Sequence, residues 1–187
     1  MEQWETIMSC ITERDHLAFF DNAYQGFASG NMEHDAAAVR LFVDNGKQCF
    51  VAQSFSKNLG FYSERLGCLT AVTGTHEEAS AVKSQLKCII RASYSNPPSH
   101  GARVAAQIMT TPTLFTEWEG ELRMMSSRLS DMRQALYEAL VSNNTPGDWS
   151  HLQTQIGMFT YLGLNSMFFL SFLPCSFVSY QIVQRAK

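Results

Sequence analysis

The chain has 187 residues, of which 45% are hydrophobic and 17% charged, and its formal net charge is −3. That length fits one ordinary domain or parts of two, and that apolar content excludes a disordered chain, which lacks the surface to build a core. The slight acidity, with no basic stripe, argues against a nucleic-acid binder.

Taken in chain order, Glu2 to Arg14 carries Trp4, Ile7, Met8 and Ile11 at helical spacing, which predicts a helix with one packed face. Leu17 to Phe20 is too short for a helix and reads as a buried strand ending at Asp21. Gln25 to Gly30 reads as a loop, and Asp35 to Asp44 as a helix with Val39, Phe42 and Val43 inward. Cys49 to Ala52 and Leu69 to Val72 are further short apolar runs, so two more strands are expected. Thr75 with Glu78 three residues on predicts a capping box opening a helix to about Arg91, with Ala81, Val82, Leu86, Ile89 and Ile90 available for burial, broken by Pro97 and Pro98. From Pro112 a long helix follows to about Val141, with Leu114, Trp118, Leu122, Met125, Leu129, Met132, Leu136 and Leu140 recurring at three- and four-residue steps. Trp118, Met124 and Met125 are expected in the core.

Short strands alternating with amphipathic helices predict an α/β domain with a mostly parallel sheet. The expected divisions are residues 1–112, then 113–165 as a connecting helix and the start of a smaller α+β domain, then a tail over 166–187. The tail's Phe-rich run from Met167 to Phe172 is interrupted by Pro174 and is short of the ~20 apolar residues of a membrane span, so no membrane role is expected. The five cysteines show no C-x-x-C pair and the five histidines no H-x-x-x-H, so neither a disulfide framework nor a metal site is expected. Met1 to Glu5 is acidic and lacks an apolar signal core, and an address on a longer parent chain would be out of view; a cytoplasmic protein is expected, with a mitochondrial one as the alternative.

In open α/β sheets, functional groups gather beyond the carboxyl ends of strands, where Asp21 and Lys57 would both lie. A lysine that forms a Schiff base must sit on a rigid element and spend time unprotonated. Arg65, eight residues after Lys57, can return to the same place and grip a phosphate with its planar fork. Ser54 and Ser56 offer hydroxyls beside it, and Gly60 and Gly67 allow the bent path between.

The segment Ser54-Phe55-Ser56-Lys57-Asn58-Leu59-Gly60-Phe61-Tyr62-Ser63-Glu64-Arg65-Leu66-Gly67 resembles the cofactor-lysine segment of the aspartate aminotransferases, class I aminotransferases of fold type I. Three further stretches resemble the same family in the same order. They are Phe19 to Ala28, with Asp21-Asn22-Ala23-Tyr24-Gln25-Gly26; Arg91 with Ser95 to Arg103; and Gln155 to Phe159. The likeness runs from about Glu2 to Asn165. It implies part of the large pyridoxal-phosphate-binding domain, a long helix and a truncated smaller domain.

The resemblance implies reversible transfer of an amino group between L-aspartate and 2-oxoglutarate, with L-glutamate and the 2-oxo acids as partners and a homodimer in the complete protein. Lys57 would be the covalent cofactor lysine and proton shuttle. Asp21 would pair with the pyridine nitrogen, Tyr24 with the phenolate oxygen, and Ser54 and Arg65 with the phosphate. Arg91 would bind the substrate's side-chain carboxylate in the neighbouring subunit's site. The family's Asn-Pro-Thr-Gly segment, its upstream phosphate loop and its α-carboxylate arginine have no counterpart here, and the likeness ends after Asn165. The isolated chain is therefore expected to be weakly active or inactive, and the alternative is a non-catalytic truncated or degenerate copy. Ser54 to Lys57 also matches the S-x-x-K motif of serine-nucleophile enzymes. That reading needs an S-D-N partner, which Ser130-Asp131-Met132 only approaches, and a K-T-G, which is absent.

Overall fold

The structure, a computed structural model, describes residues 1–164. The tail from Ser166, including Met167 to Phe172 and Cys175, lies outside the described residues. Among those described, helix α1 (Glu2–Glu13) leads into strand β1 (Ala18–Asn22), then helices α2 (Met32–Asp35) and α3 (Ala37–Asp44) and strands β2 (Cys49–Ser54) and β3 (Gly67–Val72). Helices α4 (His76–Ser93), α5 (His100–Thr110), α6 (Pro112–Ser142) and α7 (His151–Thr154) complete the order.

The sheet runs β1-β2-β3. β1 pairs with β2 in parallel, with Asp21 beside Ala52, whereas β2 pairs with β3 antiparallel, with Ser54 opposite Gly67. The sheet is therefore mixed, which corrects the expectation of a mostly parallel one. A short apolar run reveals a strand but not its direction. The direction is set by the connection, since a parallel return needs a crossover of a dozen or more residues, usually helical. Residues 55–66 contain only turns, so the chain leaves the carboxyl end of β2 and re-enters the sheet at that same end. This hairpin-like return fixes the site's layout.

Two apolar clusters hold the fold. Phe42, fully buried, packs with Ala18, Cys49 and Val51, and Met8 and Ile11 of α1 close over them. Burying a side chain such as Phe42 contributes ~1.5–3 kcal/mol. The second cluster seats Trp118 and Leu122 of α6 against Phe27, with Tyr24 and Leu59 alongside. It clamps the loops after β1 and β2 onto one long helix.

Several sequence expectations change. The helix expected from Asp35 is two pieces: Asn31 caps α2, the backbone departs at Ala36, and the Asp35 carboxylate serves the preceding loop. Thr75 caps α4 as expected, accepting from the Glu78 N–H at 3.2 Å, but the Glu78 carboxylate accepts from Gly74 N–H and not from Thr75. α5 is absent from the sequence expectations. Val104, Ala105 and Ile108 are too few to stand out behind the two prolines, yet Gly101 and Ala105 are buried. No residue of α4 is buried, and Met124 and Met125 of α6 are exposed; of the residues expected in the core there, Trp118 is buried.

Cys49 is buried in the first cluster, and burial pushes its thiol pKa up. Cys10, Cys68 and Cys88 are exposed free thiols. Because the thiolate is the reacting form, Cys49 should be the last of these four to react with iodoacetamide at mildly alkaline pH. Peptide mass mapping over time would check this, and early labelling of Cys49 in folded protein would contradict the packing.

Candidate active site

The parallel pairing of β1 with β2 brings their carboxyl ends to one edge of the sheet. Asp21 and Asn22 end β1, Ser54 ends β2, and the turns over residues 55–66 bring Arg65 back beside the entry to β3. Phe55 N–H donates to Leu66 O at 3.1 Å and closes the base of this excursion. Gly67 is the residue that fits there, because a Cβ would meet the Gln53 carbonyl oxygen at 2.5 Å. The closed loop thus returns the chain from Lys57 to the carboxyl end of β2, just after Arg65.

Lys57 is half-buried between two buried neighbours, Ser56 and Asn58. Its Nζ lies 5.3 Å from the centroid of the Tyr24 ring and 5.9 Å from that of Tyr62. Both distances fall within cation–π reach. Tyr24 in turn meets the edges of Phe27 and Phe159, with centroids at 6.4 and 5.3 Å. Asp21 is exposed and, with Tyr24, lines a concavity of about 550 Å³ whose wall also includes Trp4, Gln25 and His34. Lys57 is not in that wall; it meets the shared Tyr24 ring.

Ser54 Oγ accepts from Ser56 N–H at 3.3 Å, and Arg65 donates from Nη1 to Tyr62 O at 3.1 Å. Arg65 adopts a φ of +52°, a conformation that non-glycine residues adopt uncommonly. Arg91 stands apart: it lies exposed on α4 and donates from Nη1 to Ser95 Oγ at 2.6 Å. No described hydrogen bond links it to Asp21, Tyr24 or Lys57. Among the described residues the only ion pair joins Arg40 to Glu33. The charges of Asp21, Lys57 and Arg65 are therefore not spent on one another. Ser130 and Asp131, which the serine-nucleophile reading needs, lie within α6 beside a separate concavity lined by Arg133 and Gln153.

Three supporting residues escaped sequence reasoning. Gln25 Oε1 accepts from Asn22 Nδ2 at 2.7 Å and from Gln53 Nε2 at 2.8 Å, while its Nε2 donates to Met32 O at 3.1 Å. The Asp35 carboxylate collects the N–H groups of Gly26, Ala28 and Ser29 and the Ser29 hydroxyl, which sets the loop after Tyr24. Asn58 joins the Lys57 turn to Gln25 O and, through its own carbonyl, to Trp118 Nε1. Gln25 and Asn58 lay inside the noticed segments, but nothing local announces partners some thirty residues away. Among the described residues no group of three or more His, Cys, Asp or Glu could hold a metal ion, and no helix is long and apolar enough to cross a membrane.

Comparison with known proteins bears on the whole stretch. The chain is 54% identical over 165 residues to a mitochondrial aspartate aminotransferase P2 of Lupinus angustifolius, covering 88% of this chain but 36% of that protein. A crystal structure of aspartate aminotransferase from Trypanosoma cruzi superposes with a TM-score of 0.84 at 49% identity, over 88% of this chain and 42% of that one. An aromatic-amino-acid aminotransferase from Burkholderia pseudomallei, solved covalently bound to pyridoxal phosphate, gives 0.86 at 42% identity, over 89% and 41%. The chain thus spans well under half the length of the proteins it matches. Relatives matching over this stretch are named as mitochondrial, chloroplastic and cytoplasmic forms, so the stretch itself does not separate compartments. The family model for aminotransferase class I and II matches residues 1–175, and the chain belongs to that family.

Proposed function

We propose that this chain carries the cofactor-holding part of an aspartate aminotransferase, which moves an amino group reversibly between L-aspartate and 2-oxoglutarate. The observation that carries the reading is the Lys57 amine resting 5.3 Å over the Tyr24 ring, at the sheet edge that also bears Asp21, Ser54 and Arg65. A phosphorylated pyridine aldehyde needs an amine for its carbonyl, an acid for its ring nitrogen, a hydroxyl for its phenolate oxygen and a cation for its phosphate. Lys57, Asp21, Tyr24 and Arg65 are those four types, none of them ion-paired with another among the described residues. The donor set fits the group.

Pyridoxal phosphate, when bound, supplies the electron sink that allows the amino acid's Cα–H bond to ionise; the protein supplies orientation and electrostatics. Asp21 would hold a proton at the ring nitrogen, and the Tyr24 hydroxyl would donate to the phenolate oxygen. Ser54 Oγ and the Arg65 guanidinium would bind the phosphate, where a planar fork is suited to paired oxygens. Lys57 would hold the aldehyde end of the group and, once released by the amino acid, would carry the proton to and from Cα. Arg91, outward on α4, binds a dicarboxylate's distal carboxylate in a neighbouring subunit of a homodimer.

An α4 that buries no residue among the described residues favours one alternative, a non-catalytic copy. A single experiment addresses both readings. Purified protein is incubated with pyridoxal phosphate, reduced with borohydride and mapped by mass spectrometry, then assayed with L-aspartate and 2-oxoglutarate. The expected result is an adduct on Lys57 that Lys57→Ala abolishes, with weak turnover. An adduct without turnover selects the non-catalytic alternative. Wild-type protein without an adduct on Lys57 overturns the proposal.

A further inference from the structure

Asn58 is 4% exposed, and its Oδ1 has no hydrogen-bond partner among the described residues. A buried acceptor left unpaired is costly, and native proteins leave few of them. Its Nδ2 reaches Gln25 O at 3.4 Å, a long and weak contact by ordinary criteria. The backbone of Asn58 is held far better, since its carbonyl accepts from the buried indole of Trp118 at 2.8 Å. For stability alone, an apolar side chain of the same shape would serve this position as well or better.

The placement of Asn58 says what the amide is for. It follows Lys57 directly, and it touches the residue that follows Tyr24. Gln25 itself ties the end of β1 to β2 through Asn22 and Gln53. Asn58 and Gln25 therefore form a cross-brace between the two turns whose side chains meet as Lys57 over Tyr24. Lys57 O accepts from Gly60 N–H at 3.2 Å, which leaves the lysine side chain as the free part of the turn.

We propose that Asn58, braced on Gln25, is a positioning residue that fixes the Lys57 amine over the Tyr24 ring. The functional meaning of that placement rests on the reading given above, whereas the placement itself does not. Asn58→Leu keeps the branched heavy-atom shape and removes the amide. Acetic anhydride labelling of Lys57, read by mass spectrometry against exposed Lys83 and Lys87 of the same chain, reports how closely the amine is held.

In wild-type protein Lys57 should label several-fold more slowly than Lys83. In Asn58→Leu that protection should be lost, while the thermal midpoint holds or rises. Gln25→Met, which keeps the main-chain carbonyl that Asn58 contacts but removes the side-chain ties of Gln25 to Asn22, Gln53 and Met32, should loosen Lys57 in the same way. Capture of pyridoxal phosphate on Lys57 under borohydride should slow at least tenfold in both variants.

Unchanged labelling of Lys57 in the two variants overturns the proposal, whether or not the protein takes up the cofactor. So does a fall of several degrees in the midpoint of Asn58→Leu, which would make Asn58 a structural residue. Wild-type protein that protects Lys57 but captures no cofactor would sink the functional reading and leave the brace standing.

Discussion

Gly26→Ala should lower the stability of this protein by about 2–5 kcal/mol and release Lys57 from Tyr24. Gly26 has a φ of +96°, and a Cβ there would meet Leu122 Cδ2 at 2.2 Å and Met32 Sδ at 2.9 Å. Left-handed backbone costs a non-glycine residue ~1–2 kcal/mol, and overpacking a filled site adds ~1–3 kcal/mol. Leu122 is 1% exposed in the cluster that seats α6, so it has little room to yield. Relief must come from the loop that carries Tyr24 and Gln25. Against a total stability of ~5–15 kcal/mol the loss is large, and it corresponds to roughly 4–20 °C in the thermal midpoint. Gly120→Ala is the matched control. Gly120 lies exposed within α6, an added methyl there would meet open space, and the variant should gain up to about 1 kcal/mol. Calorimetry on both variants checks the pair; a midpoint for Gly26→Ala equal to wild type would refute the packing described for that loop.

What the sequence made legible was local. Periodicity and end signals located α1, β1, α3, β2, β3, α4 and α6 within a few residues, because each is decided by its own apolar spacing or cap. The direction of β3 was not legible, since that is decided by the turns of residues 55–66 and not by the apolar run itself. Burial was over-read on α4. Its apolar positions were visible as a face, but a sequence does not say whether a face has a partner, and here the described residues leave Ile89 61% exposed. The site divides in the same way. Asp21, Tyr24, Ser54, Lys57, Arg65 and Arg91 stood out because each lies in a recognisable segment. The network beneath them did not: Gln25 with Gln53, Asn58 with Gln25 and Trp118 with Asn58 span separations of 28, 33 and 60 residues. Local patterns carry reactive groups; the supports that aim them are long-range.

Asp21→Asn should separate function from stability, which makes it the sharpest test of the proposed role of this residue. Asp21 is exposed, on the same strand face as Phe19, and its carboxylate makes no hydrogen bond or ion pair among the described residues. Surface substitutions of that kind usually shift stability by no more than ~0.5 kcal/mol. A structural role would therefore predict no consequence. If the carboxylate holds a proton at a pyridine nitrogen, removing its charge weakens the stabilisation of the electron-rich transition state, and losing one such electrostatic group costs on the order of 10²–10³ in rate. The expected pattern has three parts: an unchanged melting curve, retained capture of pyridoxal phosphate on Lys57, and single-turnover reaction with L-aspartate slowed at least a hundredfold. Asp44→Asn, on an exposed position of α3, should leave all three unchanged. A slowing of less than tenfold would remove Asp21 from the chemistry, because a side chain at the edge of a 550 Å³ concavity with no other partner has no further means of acting on the reaction.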